Sequence, residues 1–376
     1  MNKTFDAVIA GGGLIGGAIA LELALAGVRV AIFEREEPGS EASWAGAGIL
    51  SPAPESPATI PMVPISKASM GLYPEFVALV EELSRKSVGF RPMGTLEALF
   101  SRDAARELST HVALHHGWGL KAEAISAEDA RKLEPALSPD MEAAILRPDE
   151  ASVDNRALTQ AVLDAAQKSG AVIFHHHEVQ GIWREGQRCA GLLLQNHSVS
   201  AKWTIIAAGC FSASIHGLDS YAPVRPAKGQ MLALRPTQTK IERVLWSDKI
   251  YLVPRNDGRI LAGATVEYVG FDKNVTAGGL RKLLTGAIDL APELAGARVE
   301  ETWAGLRPDS TDHLPILGPT DIDGLLLATG HFRSGILLAP VTARLVREWI
   351  TQTRVSLDWD RFSPLRFLAA HKKTTA

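Results

Sequence analysis

The sequence predicts an α/β fold, in which a Rossmann-like domain is interleaved with an α+β domain built on a largely antiparallel sheet. Three observations predict this fold. The first 34 residues alternate a strand, a helix and a second strand. Two later runs, 203–209 and 325–330, are apolar on both faces, as strands of a buried parallel sheet are. Short strands separated by turns at 230–264 predict the second sheet.

The first strand ends in a glycine motif. Residues 5–10 run directly into Gly11, Gly13 and Gly16, which fit G-x-G-x-x-G, and an Ala/Leu-rich helix follows to about residue 26. Gly11 permits the tight turn, Gly13 lets the backbone approach a pyrophosphate, and Gly16 lets the helix pack closely on the strand. The positive end of the helix then meets the pyrophosphate. This spacing predicts a site for an adenine dinucleotide.

The second strand, 28–33, delivers an acidic residue to this site. Glu34 is placed to accept hydrogen bonds from the adenosine ribose hydroxyls. The neighbouring Arg35 would suit a 2′-phosphate, so an NAD(P) enzyme is an alternative. Residues 41–52 are rich in glycine and alanine, which indicates backbone approaching something flat or bulky.

The rest of the chain supplies elements for both domains. Residues 52–64 contain five prolines and predict an irregular connection. Further helices are predicted at 76–85, 103–115, 127–133 (capped by Ser126), 154–170 and 280–291, and further strands at 94–100, 172–174, 179–183, 189–194, 230–234, 250–254 and 259–264. The tail at 371–373 is expected to fray.

The C-terminal strand–turn–helix is the second strong feature. Residues 330–335 place the N-terminus of a long helix, 336–351, directly after a buried strand. Two such helix ends in one chain suit a dinucleotide with a second, electron-accepting ring. A helix N-terminus near the N1–C2=O edge of a flavin stabilises the negative charge of the reduced ring. A structural turn without a ligand is the alternative.

Two arginines and a tyrosine are candidate substrate ligands. Arg307 lies between Leu306 and Pro308, and Arg333 lies in the C-terminal turn. A guanidinium binds a carboxylate through two hydrogen bonds and stays charged at any working pH. Tyr251, on a predicted strand, would add a hydroxyl to the same carboxylate.

Composition excludes several classes of function. The net charge of −3 gives no reason to expect a nucleic acid or an anionic membrane as partner. Two cysteines exclude a disulfide framework, and the N-terminus lacks the pattern of a signal peptide, so we expect a cytoplasmic protein. The triplet at 175–177 follows a strand, where alternate side chains point to opposite faces and no acidic partner has ligand spacing, so no metal is expected. No catalytic acid/base pair and no nucleophile elbow are evident.

Over nearly its whole length the chain resembles the FAD-dependent D-amino-acid-oxidase superfamily, and within it the glycine oxidases of thiamine biosynthesis. The segments that carry the resemblance are Ala45–Pro52, Pro226–Gln230, Tyr251–Arg255, Trp303–Pro308 and Gly330–Pro340.

The resemblance implies FAD as cofactor. The order of the elements along the chain predicts an FAD-binding domain at 1–75, 150–215 and 300–376 and a substrate-binding domain at 76–149 and 216–299. The resemblance implies Arg307 as the main carboxylate clamp, with Arg333 and Tyr251 beside it. The FAD contacts it implies, with the glycine motif, are Gly11, Gly13, Leu14, Ile15, Gly16, Glu34, Arg35, Ala42, Ser43, Ala47, Gly48, Ile49, Val179, Gly330, His331, Phe332, Arg333, Ser334, Gly335, Ile336 and Leu337.

The activity that the resemblance implies is oxidation of glycine, sarcosine or D-alanine by hydride transfer to the flavin. Oxygen would yield hydrogen peroxide, and the imine would hydrolyse or pass to thiazole synthesis. A homo-oligomer is also implied. Lys249 and Val266 stand where a histidine and a methionine are expected near the pocket, which leaves the preferred substrate open. The alternatives are a D-amino-acid dehydrogenase that uses another electron acceptor, and a non-catalytic flavoprotein.

Overall fold

The computed structural model describes residues 4–368, so the predicted fraying at 371–373 lies outside the described residues. In chain order its strands are β1 (Ala7–Ala10), β2 (Val30–Phe33), β3 (Ile49–Leu50), β4 (Thr95–Leu99), β5 (Glu123–Ser126), β6 (Ala143–Arg147), β7 (Ala151–Ser152), β8 (Val172–Phe174), β9 (Val179–Glu185), β10 (Arg188–Leu194), β11 (Ser198–Ser200), β12 (Trp203–Ile206), β13 (Val224–Arg235), β14 (Val244–Trp246), β15 (Tyr251–Pro254), β16 (Ile260–Gly263), β17 (Arg298–Ser310), β18 (Ile316–Pro319) and β19 (Leu325–Thr329). Its α-helices are α1 (Leu14–Leu25), α2 (Ala42–Ala45), α3 (Val63–Ser84), α4 (Arg102–Arg106), α5 (Leu108–Gly117), α6 (Ala127–Leu133), α7 (Asn155–Lys168), α8 (Ala277–Leu290) and α9 (Gly335–Ile350).

The first sheet has six strands in the order β18-β19-β12-β1-β2-β8. All neighbours are parallel except β18 and β19. Side chains alternate across β1, so Ile9 packs under helices α1, α3, α7 and α9, while Val8 packs on the other face against the three-stranded sheet β9–β11. Both faces are therefore covered, which explains why β1 and β2 are apolar throughout and β19 is apolar up to Ala328.

The second sheet has eight strands in the order β17-β13-β16-β15-β14-β4-β6-β5, antiparallel apart from the β14–β4 pair. One face packs against α8, where Leu232 and Leu252 meet Leu283. The other face, with Met231 and Trp303, packs against the alanines of segment 42–49. The second sheet thus lies directly against the small-residue segment.

Several predicted elements are confirmed, and others need correction. Helix α6 has the predicted bounds, and the Ser126 hydroxyl caps it by accepting from the amide of Asp129. The prediction of an irregular connection at 52–64 is wrong in its second half. A 3₁₀ helix (Pro57–Met62) leads there into α3, whose first turn tolerates Pro64. The helix predicted at 103–115 is two helices, α4 and α5. No sequence pattern predicted β17.

The division into two interleaved domains stays a prediction. The strands of the six-stranded sheet come from residues 7–33, 172–206 and 316–329, and those of the eight-stranded sheet from 95–147 and 224–310. Strand β17 belongs wholly to the second sheet, although it crosses the predicted boundary at residue 300. Cys189 and Cys210 are both buried and free. None of the helices in the described residues is long and apolar enough to span a membrane.

Candidate active site

A cavity of about 860 Å³ lies where the two sheets meet. It is lined by the end of β1, the small-residue segment, the start of α9 and strands of the second sheet. Of the predicted cofactor ligands, all but Gly16 and Gly330 line it, as do Arg307 and Tyr251. Residues that are far apart in sequence therefore surround one space of the size that holds a large ligand.

The turn between β1 and α1 has the backbone shape that the glycine motif requires. Gly11 has φ +105°, and a Cβ there would lie 2.5 Å from the Ala207 carbonyl oxygen. A Cβ on Gly16 would lie 2.0 Å from the Gly11 oxygen, so Gly16 serves helix packing and does not face the cavity. At Gly13 the nearest protein atom to an added Cβ is Ser43 Oγ, at 3.1 Å. Gly13 is thus open toward the cavity, where the first amides of α1 have no intrahelical partner.

Glu34 and Arg35 both line the cavity, in different bonding states. The Glu34 carboxylate accepts from the amides of Gly12 (2.7 Å) and Glu36 (2.9 Å), which fixes it at the end of β2. Its oxygens retain lone pairs for ribose hydroxyls. Arg35 is paired with Glu41 at 3.2 Å and lies 3.8 Å from the ring centroid of Phe211. This arrangement leaves Arg35 committed to protein partners and weakens the case for a 2′-phosphate ligand.

Buried polar side chains that sequence reasoning missed hold the small-residue segment in place. Arg255 donates to the Ala47 carbonyl at 2.9 Å and to Asn155 Oδ1 at 2.8 Å. Asn155 in turn donates to the Ser43 carbonyl at 2.8 Å. At Gly48, φ is +72° and a Cβ would lie 1.9 Å from the Val153 oxygen. The segment is therefore a rigid wall. The sequence signal that could have identified Arg255 is its position directly after a buried strand.

The turn at 330–335 places the N-terminus of α9 at the same cavity. Gly330 and Phe332 have φ of +69° and +48°. The first turn of α9 is held by α3, since the Tyr73 hydroxyl donates to the Ile336 carbonyl and the Ser69 hydroxyl to the Leu337 carbonyl, both at 2.6 Å. Two helix N-termini therefore converge on one space.

His331 is a buried histidine in this turn. It is 3% exposed, and its Nε2 lies 3.1 Å from the Thr342 hydroxyl. Burial lowers the pKa of His331 to about 3, so the folded protein keeps the ring neutral while the unfolded chain protonates near pH 6.5. Its contribution to folding is full above pH 6.5 and is lost as the pH falls from 6.5 toward 3.

We expect His331→Gln to flatten the acid side of the stability profile. In the wild type this group should remove about 1.4 kcal/mol of unfolding free energy per pH unit below pH 6. The variant should lose stability less steeply over the same range, as measured by urea unfolding between pH 4 and 8. Parallel pH profiles for the two proteins would contradict the assignment.

Arg307, Arg333 and Tyr251, the three predicted substrate ligands, line the same cavity. The Arg307 guanidinium donates to the Thr265 carbonyl at 3.1 Å, and no carboxylate oxygen within residues 4–368 lies within 4 Å of it. The Tyr251 hydroxyl donates to the Met231 sulfur at 3.3 Å and lies beside the Arg307 guanidinium. Burial raises the pKa of Tyr251, and the charge of Arg307 opposes that rise. Arg333, by contrast, forms an ion pair with Glu55.

The structure does not place two further predicted residues at the cavity. Lys249 pairs with Asp289 at 3.2 Å, and Val266 is exposed; neither lines the cavity. No catalytic acid/base pair was evident from the sequence, and the structure brings one candidate group of side chains together. Fully buried Asp309 accepts from His313 Nδ1 and from the Tyr268 hydroxyl, both at 2.7 Å, and His313 and Tyr268 face the cavity.

The histidine triplet is not arranged as a strand would arrange it. His176 has φ +57°, which turns its ring to the same side as that of His175. Glu37 Oε1 lies 3.1 Å from His176 Nε2 and 3.7 Å from His175 Nδ1. The argument that no acidic partner is available was therefore wrong. The side chains of Glu37, His175 and His176 are exposed and lie outside the cavity.

Comparison with known proteins agrees with this architecture. The family described as DAO, FAD dependent oxidoreductase, matches residues 6–349. The bifunctional protein ThiO/ThiG of Synechocystis sp. is 38% identical over 375 residues, covering 98% of this chain and 55% of that protein. This chain spans about half the length of three such bifunctional relatives. Glycine oxidase of Geobacillus kaustophilus is 32% identical over 98% of both chains.

Solved structures give the same result. The crystal structure of glycine oxidase from Geobacillus kaustophilus superposes with a TM-score of 0.91, covering 96% of this chain and 99% of that one, at 32% identity. Iminodiacetate oxidase from Chelativorans sp. superposes with a TM-score of 0.87 at 28% identity, covering 95% and 98%. The predicted fold class is confirmed by these matches.

Proposed function

This chain belongs to the DAO family of FAD-dependent oxidoreductases, and on that premise we propose that it oxidises glycine and other small amino acids. Its chemistry is FAD-dependent amine oxidation. The observation that carries the finer proposal is the Arg307 guanidinium, which faces the cavity without a carboxylate partner among the described residues. A partly buried cation of this kind is costly unless an anion pairs with it, and a substrate carboxylate would supply that anion.

The residues present fit FAD. Gly13 leaves room for a pyrophosphate at the N-terminus of α1, where the helix dipole is positive, and Glu34 offers carboxylate oxygens for the ribose. The segment 42–49 presents backbone and small side chains, which suit a flat ring, and the N-terminus of α9 supplies positive potential beside it. When bound, the flavin accepts two electrons and a proton from the substrate and passes them to an acceptor.

The chain's own residues would orient the substrate. Arg307 would bind the carboxylate through two hydrogen bonds. The Tyr251 hydroxyl, which here donates to the weakly accepting sulfur of Met231, would add a third. Fixing the carboxylate holds the α-carbon in one position, which accounts for much of the acceleration in such a reaction. His313, held by Asp309, could accept the proton that the substrate ammonium must lose.

The products follow from atom balance. Glycine loses two hydrogens to become an imine, and water converts the imine to glyoxylate and ammonia. With oxygen as acceptor the hydrogens leave as hydrogen peroxide. Delivery of the imine to a thiazole synthase, as part of thiamine biosynthesis, is proposed because the first relatives join ThiO and ThiG in one chain. We also propose a homo-oligomer in the cytoplasm.

Anaerobic titration of the FAD-loaded protein tests the proposal. Glycine, sarcosine and D-alanine should bleach the flavin absorbance, and re-admitted oxygen should restore it with one hydrogen peroxide per turnover. Bleaching that oxygen cannot reverse but a quinone dye can would favour the dehydrogenase. A flavin that none of the three amino acids reduces would contradict the proposed substrates.

A further inference from the structure

A loop places a carboxylate at the substrate end of the cavity. Glu55 lies between β3 and the 3₁₀ helix that precedes α3, and its carboxylate forms an ion pair with Nη1 of Arg333. Both side chains line the cavity and are partly exposed to it. Arg333 was predicted to be a substrate ligand, but in this structure its charge already has a partner.

The pair changes the charge that a substrate meets. Arg307 and Arg333 carry two positive charges, and Glu55 neutralises one of them. Burial raises the pKa of the Tyr251 hydroxyl, the charges of Arg307 and Arg333 oppose this rise, and the charge of Glu55 adds to it. All three charged groups therefore lie close enough to act on this hydroxyl. The substrate end therefore offers one unpaired guanidinium, that of Arg307.

We propose that Glu55 restricts this cavity to ligands with a single acidic group, by occupying Arg333. This inference rests on the proposed function, in that the first carboxylate of a ligand binds Arg307. A second carboxylate near Arg333 would have to displace Glu55 and would meet its negative charge. Like charges brought together at a binding site discriminate strongly against the wrong ligand. Without the charge of Glu55, Arg333 becomes a second anion subsite, suited to a dicarboxylate.

Calorimetric titration of the FAD-loaded protein with inert carboxylates tests this. Acetate carries one carboxylate; malonate, succinate and glutarate carry two at increasing separation. In Glu55→Gln, the affinity for at least one dicarboxylate should rise about tenfold or more relative to acetate. In the Glu55→Gln/Arg333→Gln double variant this gain should disappear, because the subsite itself is removed. Glu55→Asp keeps the charge and should keep the wild-type preference.

A matched control is available elsewhere in the chain. Glu22→Gln breaks the ion pair of Glu22 with Arg347, which is similarly exposed and lies outside the cavity lining. It should leave the ratio of dicarboxylate to acetate affinity unchanged. If Glu55→Gln does not retain FAD, the Arg333→Gln variant still tests the inference. The negative charge of Glu55 is then no longer neutralised, so dicarboxylate affinity should fall below the wild-type level.

Two results would overturn the inference: an unchanged affinity ratio in Glu55→Gln, or a gain that persists after Arg333 is removed. Failure of the proposed function gives a different result. In that case acetate affinity would be insensitive to Arg307→Met, which is a readout that does not depend on any variant of Glu55.

Discussion

Replacing Arg307 with methionine should lower kcat/KM for glycine by roughly 30- to 5000-fold, which corresponds to about 2–5 kcal/mol. The guanidinium faces the cavity and donates to one protein carbonyl, so its remaining N–H groups are available to a ligand carboxylate. Methionine fills similar space without charge. Stopped-flow reduction of the flavin under anaerobic conditions measures the change directly. The kcat/KM of Arg307→Lys should lie between those of wild type and Arg307→Met, because lysine keeps the charge but lacks the planar guanidinium.

Arg298→Met is the matched control for this experiment. Arg298 is on the same strand, β17, but is exposed and paired with Glu300 outside the cavity lining. We expect its kcat/KM to remain within about twofold of wild type, since exposed ion pairs contribute little. Unchanged FAD absorbance shows that Arg307→Met is folded. A kcat/KM for Arg307→Met within threefold of wild type would show that the carboxylate binds elsewhere.

Gly13→Val should separate cofactor binding from folding. Within 4 Å, a Cβ added at Gly13 meets Ser43 Oγ alone among the described residues, and it lies at the cavity, where a pyrophosphate would lie against α1. The backbone there has φ −78°, which valine can adopt. We expect FAD affinity to fall about 100-fold or more, or roughly 3 kcal/mol, with the circular dichroism spectrum of the apoprotein retained.

Variants of two other glycines serve as controls for this experiment. Gly71→Ala, in α3 with open space around it, should leave FAD affinity unchanged. Gly11→Ala should reduce folded yield, because its Cβ would collide with the Ala207 backbone at a positive φ. Fluorescence titration of apoprotein with FAD measures all three. Wild-type affinity in Gly13→Val would place the pyrophosphate away from α1.

Local sequence predicted those parts of the fold that depend on local interactions. The β1–α1 turn, the Ser126 cap and the turn at 330–335 each depend on residues within a few positions of one another. Strand β17 was missed because its charged residues and Pro308 break any alternation. It is stabilised instead by pairing with β13 along nearly its whole length.

Only part of the candidate site could be predicted, because its side chains also depend on contacts between distant segments. Arg307, Arg333 and Tyr251 could be singled out by residue type and by resemblance. Their states of pairing could not, because Glu55 lies 278 residues from Arg333 in the chain. Arg255 likewise reaches back 208 residues to Ala47. Contacts of this range follow from the packing of the two sheets and have no signature in any single segment.

The contact between Gly305 and Ala45 constrains how a pocket of this kind can diversify. A Cβ on Gly305 would lie 2.2 Å from that of Ala45, and Arg307 is only two residues further along the strand. Any shift of β17 that adapted Arg307 to a bulkier acid would also displace the wall that is proposed to face the flavin. Divergence toward new amines is therefore easiest in the loop 51–56, which no sheet restrains, with the redox machinery left intact.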